Sequence, residues 1–289
     1  MFKSLVAAEP NSSRTAYRIA RLAVRSLYQE LALYPKPGLV SLRDNGAHRD
    51  MDAVTFVRSL FSLRAYFVAI AAAGMREAKF DELQQLGLAA ESRMLHATRG
   101  INTHRGAIFT QGILAAAAGC AAARNIELSD ENLRVIVTTN WSGELRAIAV
   151  AQAATPSHGQ LMAARHGASG ARGEALLGFP SVFEVALPAL RSALARGADM
   201  HLALLHTFFA LLSDIRDTNV LFRGGAEALV FVQTRAGEFL ARGSVFVPGW
   251  QQSAESIHRE CSARNLSPGG CADLLAAAWF VHELQSNQP

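Results

Sequence analysis

Cysteine is nearly missing from this chain: Cys120, Cys261 and Cys271 are scattered over 289 residues. Three at those spacings make neither a disulfide framework nor a zinc site, so a reduced, cytoplasmic setting is the simplest expectation. Cys120 lies in an alanine-rich run and reads as core. An excess of one charge is also missing, with 28 basic residues facing 24 acidic ones. No basic block stands out, so nucleic acid is not an expected partner, although a slight positive balance suits a polyanionic small molecule. The opening stretch, Met1 to Pro10, holds one lysine and no long apolar region, which is no secretory signal. The apolar stretch Ala65 to Gly74 is too short to span a membrane, so no membrane partner is expected. No Walker-type Gly-Lys-Ser/Thr loop and no His-Glu-x-x-His pattern occurs, so any ATP site would not be of P-loop type. No linker tract, repeat period or sustained period-two alternation is visible.

What remains is alanine and helical periodicity. Aromatics make up only 8% of the chain and β-branched residues are sparse in most windows, which favours closely packed helices. Phe56, Leu60, Leu63, Phe67 and Ile70 fall on one stripe of a helix that Asp52 can cap. Ser12 or Ser13 can cap another, stopped by Pro35 and Pro37. Further helices are predicted over Asp81–Thr98, His104–Arg124, Asp130–Thr139, Gly143–Ala154, Ser157–His166, Pro180–Ala195, Asp199–Ile215, Gly225–Arg242, Gln251–Arg264 and Gly270–Leu284. Pro188 should kink or divide its helix. The expectation is all-α: a single compact multi-helix domain over residues 1–289, with polar loops converging on one cleft. The apolar excess over what one domain needs fits a homodimer.

Between the apolar stretches lie short polar clusters. The densest is Thr98 to Gly106, where Asn102, Thr103, His104 and Arg105 follow one another. Such a loop buries little area but can hold an anion or a sugar hydroxyl, and loops carry function more often than cores do. In order along the chain the clusters read YPKPGLVS, NGAHRDMDAVTFVRSL, TRGINTHRGAIF, GARGEALLGFPSV, DTNVLFRGG and SPGGCADLLA. Together they resemble the triphosphoribosyl-dephospho-CoA synthase family, over about Leu31 to Leu275. Phe222 is a departure: members often have His there, so no role for that His carries over.

The resemblance implies a glycosyl transfer. The ribose 2′-hydroxyl of 3′-dephospho-CoA displaces adenine from C1 of the ribose of ATP, and the triphosphate stays on the transferred sugar. The product is the prosthetic-group precursor of an acyl carrier protein subunit. The run from Gly170 to Arg196 looks more like the malonate decarboxylase branch than the citrate lyase branch. Physically the reaction needs a carboxylate to take the attacking hydroxyl's proton, a contact that eases adenine out, and Mg²⁺, cations and N–H groups for the triphosphate.

Asp214, Asp217 and Asp273 are expected to hold Mg²⁺ or supply the base, and which one is the base stays open. His104 is expected near the leaving adenine. Lys36, Arg105 and Arg223, with Arg172, are expected on phosphates. Gly224-Gly225 and Gly269-Gly270 repeat a glycine-then-helix arrangement that favours anions. His48, Asp50, Asn102, Thr103, Glu174 and Asn219 complete the candidate substrate contacts, and Glu91 could point into the same cleft. Each has a plainer reading: a solvated Lys36, a Gly-Gly helix boundary, an Asp217 that bonds its own backbone in a turn. Two rival functions fit the same residues, a Mg²⁺-dependent ribosyl-bond hydrolase and a non-catalytic adaptor binding the acyl carrier protein.

Overall fold

A computed structural model describes residues 10–151 and 170–287. Among those residues every regular element is helical and no strand occurs. The α-helices are α1 (Pro10–Ala32), α2 (Ala53–Met75), α3 (Phe80–Ala97), α4 (Arg105–Ala123), α5 (Asp130–Ala151), α6 (Gly170–Leu176), α7 (Leu187–Ala195), α8 (Met200–Asp214), α9 (Thr218–Ala241), α10 (Trp250–Ala263) and α11 (Gly269–Ser286). A π-helical stretch, Ser181–Ala186, runs into α7.

Two helices with little polar surface, α4 and α11, pack against each other at the centre. Helices α1, α2, α3 and α5 surround α4, while α8, α7 and α1 cover α11. Small residues make the closeness possible. A Cβ on Gly119 would meet the Ala71 carbonyl oxygen of α2 at 2.2 Å, so only glycine lets the two backbones approach. Gln111 crosses this core, donating to Ser26 Oγ at 2.6 Å and to the Ala276 carbonyl at 3.1 Å, and so ties α1, α4 and α11 together. By length and composition α2 and α4 could each cross a membrane, which the shorter stretch Ala65 to Gly74 does not reveal. A helix apolar all round belongs in a large core or in lipid. Here 78% of the apolar window of α4 is buried within the bundle, against 44% for α2.

Three helix starts are capped by an aspartate, Asp52, Asp199 and Asp217. Asp52 accepts from Thr55 N at 2.8 Å, and Asp199 caps α8 by accepting from Leu202 N at 2.9 Å. One expectation needs correction and two hold. The predicted helices 130–139 and 143–154 are one helix, α5, which runs straight through Gly143. A glycine inside a helix costs only about 1 kcal/mol, and buried Trp141 and Leu145 flank it. The boundary predicted at Gly225 is present as a break in the backbone (φ 70°), and a further helical stretch from Thr218 precedes it. Pro188 does divide its segment, since the π-helical turn gives way to α-helix at Leu187. The predicted helix Ser157–His166 lies outside the described residues.

Candidate active site

The starts of α4, α6, α9 and α11 border one cavity of about 1100 Å³. A helix start leaves N–H groups without intrahelical partners and carries a partial positive charge, so this is a place where anions gather. The protein's own carboxylates already take part of that role. Asp217, buried, accepts from Asn219 N at 2.8 Å and Val220 N at 3.1 Å through Oδ1, capping α9. Its Oδ2 accepts from Cys271 N at 2.8 Å, in the first turn of α11. One side chain thus joins two helix starts. Gly270 makes room for it, since a Cβ there would lie 2.9 Å from Asp217 Oδ2. Burial pushes the Asp217 carboxyl up from its ordinary range, and the three N–H groups pull the other way.

Asp273 serves α4 in a similar way. Its carboxylate presses on the first turn of α4, where a Cβ on Gly106 would meet Oδ2 at 1.9 Å, and it accepts from the Ala107 backbone N–H. Burial holds this carboxyl well above the usual carboxylate range, with the charges of Glu30 and Asp217 adding to the effect.

The expected three-aspartate Mg²⁺ site is therefore not built. Among the described residues no group of three or more His, Cys, Asp or Glu side chains is arranged to hold a metal ion. Asp217 spends both oxygens on N–H groups, and Asp214 sits exposed at the end of α8. Mg²⁺ is commonly held by one or two carboxylates together with substrate phosphates rather than in an all-protein cage. The residues present fit that arrangement better than a resident ion.

His104 stands at the N-cap of α4 and is buried. Its Nδ1 lies 2.6 Å from Ser59 Oγ, and its ring packs edge-on to Phe56 with centroids 5.0 Å apart. Its Nε2 is buried without a hydrogen-bond partner. Burial, with the charge of Lys36 behind it, drops the imidazole pKa to about 3, so the ring is neutral at ordinary pH. Arg172 presents a second unmet group, since its Nη1 is buried without a partner, and burial lowers its pKa. Arg223 donates to Asn265 Oδ1 at 2.7 Å and lies 3.4 Å from His48 Nδ1, while His48 Nε2 lies 2.8 Å from Ser267 Oγ.

Of the four candidate catalytic residues, Asp214, Asp217, Asp273 and His104 all border this cavity. So do His48, Asn102, Thr103, Arg105, Arg172 and Arg223, and likewise Glu174, Asn219, Gly269 and Gly270. Several are occupied with other work. Glu174 accepts from Ser181 N at 3.0 Å and Ser181 Oγ at 2.7 Å, holding the π-helical turn. Asn102 accepts from Arg105 N at 3.1 Å, and Arg105 pairs with Glu91.

Four candidates stand elsewhere. Lys36 is neither solvated nor facing the cavity. It is buried behind the wall with its ammonium on Glu30, because the chain doubles back after α1. Burial pushes its pKa down, and Glu30 opposes that. Gly224 and Gly225 lie at the break within α9 and do not line the cavity. Asp50, exposed and 3.6 Å from His48 Nδ1, borders a smaller side cavity of about 550 Å³. Phe222 lines the cavity with about half its surface exposed (54%).

Two buried side chains that shape the cavity wall or the Lys36 loop behind it carry no signal in the sequence clusters. Glu30 is buried on the cavity wall, on a face of α1 with Leu27 and Leu31. No polar cluster marks it, and a lone carboxylate on an apolar stripe was its one signal. His258 is buried. Its Nδ1 bonds the Lys36 carbonyl at 2.7 Å and its Nε2 meets Asp44 at 3.1 Å, pinning the loop that carries Lys36.

Residues 16–289 match the family model described as ATP:dephospho-CoA triphosphoribosyl transferase. A probable 2-(5″-triphosphoribosyl)-3′-dephosphocoenzyme-A synthase from Acinetobacter calcoaceticus is 39% identical, covering 94% of this chain and 93% of the relative. A probable synthase of the same description from Salmonella typhimurium is 40% identical over 93% and 92% of the two chains. The 2-(5″-triphosphoribosyl)-3′-dephosphocoenzyme-A synthase of Pectobacterium atrosepticum is 38% identical over 91% and 88%. No solved structure matches the chain.

Proposed function

This chain belongs to the ATP:dephospho-CoA triphosphoribosyl transferase family, and from that premise we propose that it moves the 5-triphosphoribosyl group of ATP to the ribose 2′-hydroxyl of 3′-dephospho-CoA and releases adenine. The observation that carries the reading is the meeting, in one cavity, of helix starts with two buried and unpartnered polar atoms, His104 Nε2 and Arg172 Nη1. A buried polar atom without a partner costs about 1–3 kcal/mol, which a ligand can recover.

The roles follow from the environments. The neutral His104 ring offers Nε2 to a nitrogen of the departing base, a contact that does not depend on the ring being charged. A neutral imidazole at a helix start is a known way to polarise a substrate group. Arg172 and Arg223, with the free N–H groups of the helix starts, hold phosphates. Mg²⁺ is placed on the nucleotide's own phosphates. Asp217 fixes the starts of α9 and α11 relative to each other. The product goes to an acyl carrier protein, and the resemblance of the run from Gly170 to Arg196 favours the malonate decarboxylase branch over citrate lyase. Three buried, unpaired cysteines suit a reducing, cytoplasmic setting.

Purified protein given ATP, Mg²⁺ and 3′-dephospho-CoA should release free adenine, with the triphosphoribosyl product seen by mass. Adenine released without 3′-dephospho-CoA would mark a hydrolase instead, and no release at any Mg²⁺ concentration would reject the assignment.

A further inference from the structure

Six carboxylates border the cavity: Glu30, Glu91, Glu174, Asp214, Asp217 and Asp273. Five have other employment or the wrong setting. Glu91 holds Arg105, and Glu174 holds Ser181. Asp214 sits in solvent at the end of α8. Asp217 and Asp273 serve helix starts, and each is wedged where a neighbouring glycine leaves no spare room. Glu30 differs from all of them. It is buried, and Oε1 is held by a fully buried ammonium, Lys36 Nζ, six residues along the chain.

A buried ion pair is poor value for stability, because the cost of stripping water from two ions often exceeds their attraction. Apolar residues of similar size would serve the core as well or better. Here the loop bearing the ammonium is itself fastened, through His258 on its carbonyl oxygen and Asp44 beyond. The structure thus holds one carboxylate at the cavity wall, away from water, paired with an ammonium that does not itself line the cavity. Glu30 itself lines the cavity, where a ligand's hydroxyl can meet it.

We propose that Glu30 is the base that takes the proton of the attacking 2′-hydroxyl, and that Lys36 positions it. The inference rests on the transferase reading above. As the hydroxyl oxygen bonds to C1′ of the ATP ribose, the C1′–N9 bond breaks and its electron pair leaves with adenine. The hydroxyl proton passes to Glu30 and on to solvent, and adenine takes up one proton from solvent. Atoms and charge balance without an oxidant or other co-reactant.

Three proteins test this by adenine release, ATP binding and melting temperature. Glu30→Gln keeps the shape and should lower kcat by about 10²–10⁴-fold, with KM for ATP changed less than about threefold. Because that variant strands the Lys36 ammonium, Glu30→Gln with Lys36→Met replaces the pair by neutral groups. It should melt at or above the wild-type temperature, bind ATP, and be as slow as the single variant. A double variant that keeps more than about a tenth of the wild-type kcat would overturn the proposal, since general-base help exceeds that margin. So would loss of ATP binding together with kcat in the well-folded double variant, which would make the pair a scaffold of the pocket. If wild type itself releases no adenine, the transferase reading fails first; if wild type works and Glu30→Gln works equally, only Glu30 is displaced.

Discussion

The buried lining of the cavity and its exposed rim use the same residue types in different surroundings. On the rim, Arg105 and Glu91 form an ion pair with the arginine about half exposed (53%), and Arg223 leans on Asn265 and His48. Deeper in, His104 and Glu30 are withdrawn from water, Lys36 stands behind them, and His104 Nε2 and Arg172 Nη1 have no partner. Solvent-exposed ion pairs are worth about 0–1 kcal/mol, whereas an unmet buried polar group costs about 1–3 kcal/mol. The rim is therefore already satisfied, and the lining is where a ligand has something to gain. Residue type alone does not separate a binding cation from a resting one; burial and partners do.

Substitutions should reproduce that gradient. The largest effect is expected at Asp217, the buried carboxylate whose present work is structural. Asp217→Ala leaves three N–H groups without acceptors and should destabilise the fold by roughly 3–6 kcal/mol, read as a drop in melting temperature. A variant that melts like wild type yet is inactive would return Asp217 to direct catalysis. Next comes Arg172→Met, which removes a charged donor from the lining. It should raise KM for ATP by about 10–100-fold with kcat less affected, in steady-state kinetics. Arg105→Met on the rim should change KM less than about threefold, as exposed pairs contribute little. If the two arginines behave alike, the distinction between lining and rim fails.

Beyond its contact with the base, His104 has a smaller effect that is read in stability. Its folded pKa of about 3 lies below the ordinary histidine value. The unfolded chain therefore binds a proton that the folded one refuses, and stability falls as pH drops through the window from about 6.5 towards 3. Between pH 6.5 and 5, before most carboxylates titrate, His104→Gln should flatten the loss by up to about 1.4 kcal/mol per pH unit. Denaturant melts across that range measure it, and an unchanged slope would show that His104 takes up its proton normally.

Sequence revealed much of this where the cause is local. Asp52 capping α2 and the polar run ending at His104 are written in consecutive residues, because a cap or a loop is made by neighbours in the chain. Glycine misled where packing took over: Gly143 reads as a boundary, yet buried side chains carry α5 past it, whereas Gly225 does break its helix. Lys36 between two prolines reads as a fixed cation, but its burial depends on His258, more than two hundred residues away. Glu30 was hidden for the same reason. A carboxylate on an apolar helix face gains meaning only when the chain folds an ammonium back onto it.

The most direct test of the central claim is a crystal structure of the protein with ATP and Mg²⁺. The adenine should lie against His104 with a ring nitrogen on Nε2, the ribose near Glu30 and the phosphates on Arg172. A nucleotide seated on the rim, or outside the cavity, with His104 Nε2 and Arg172 Nη1 still unpartnered, would contradict it.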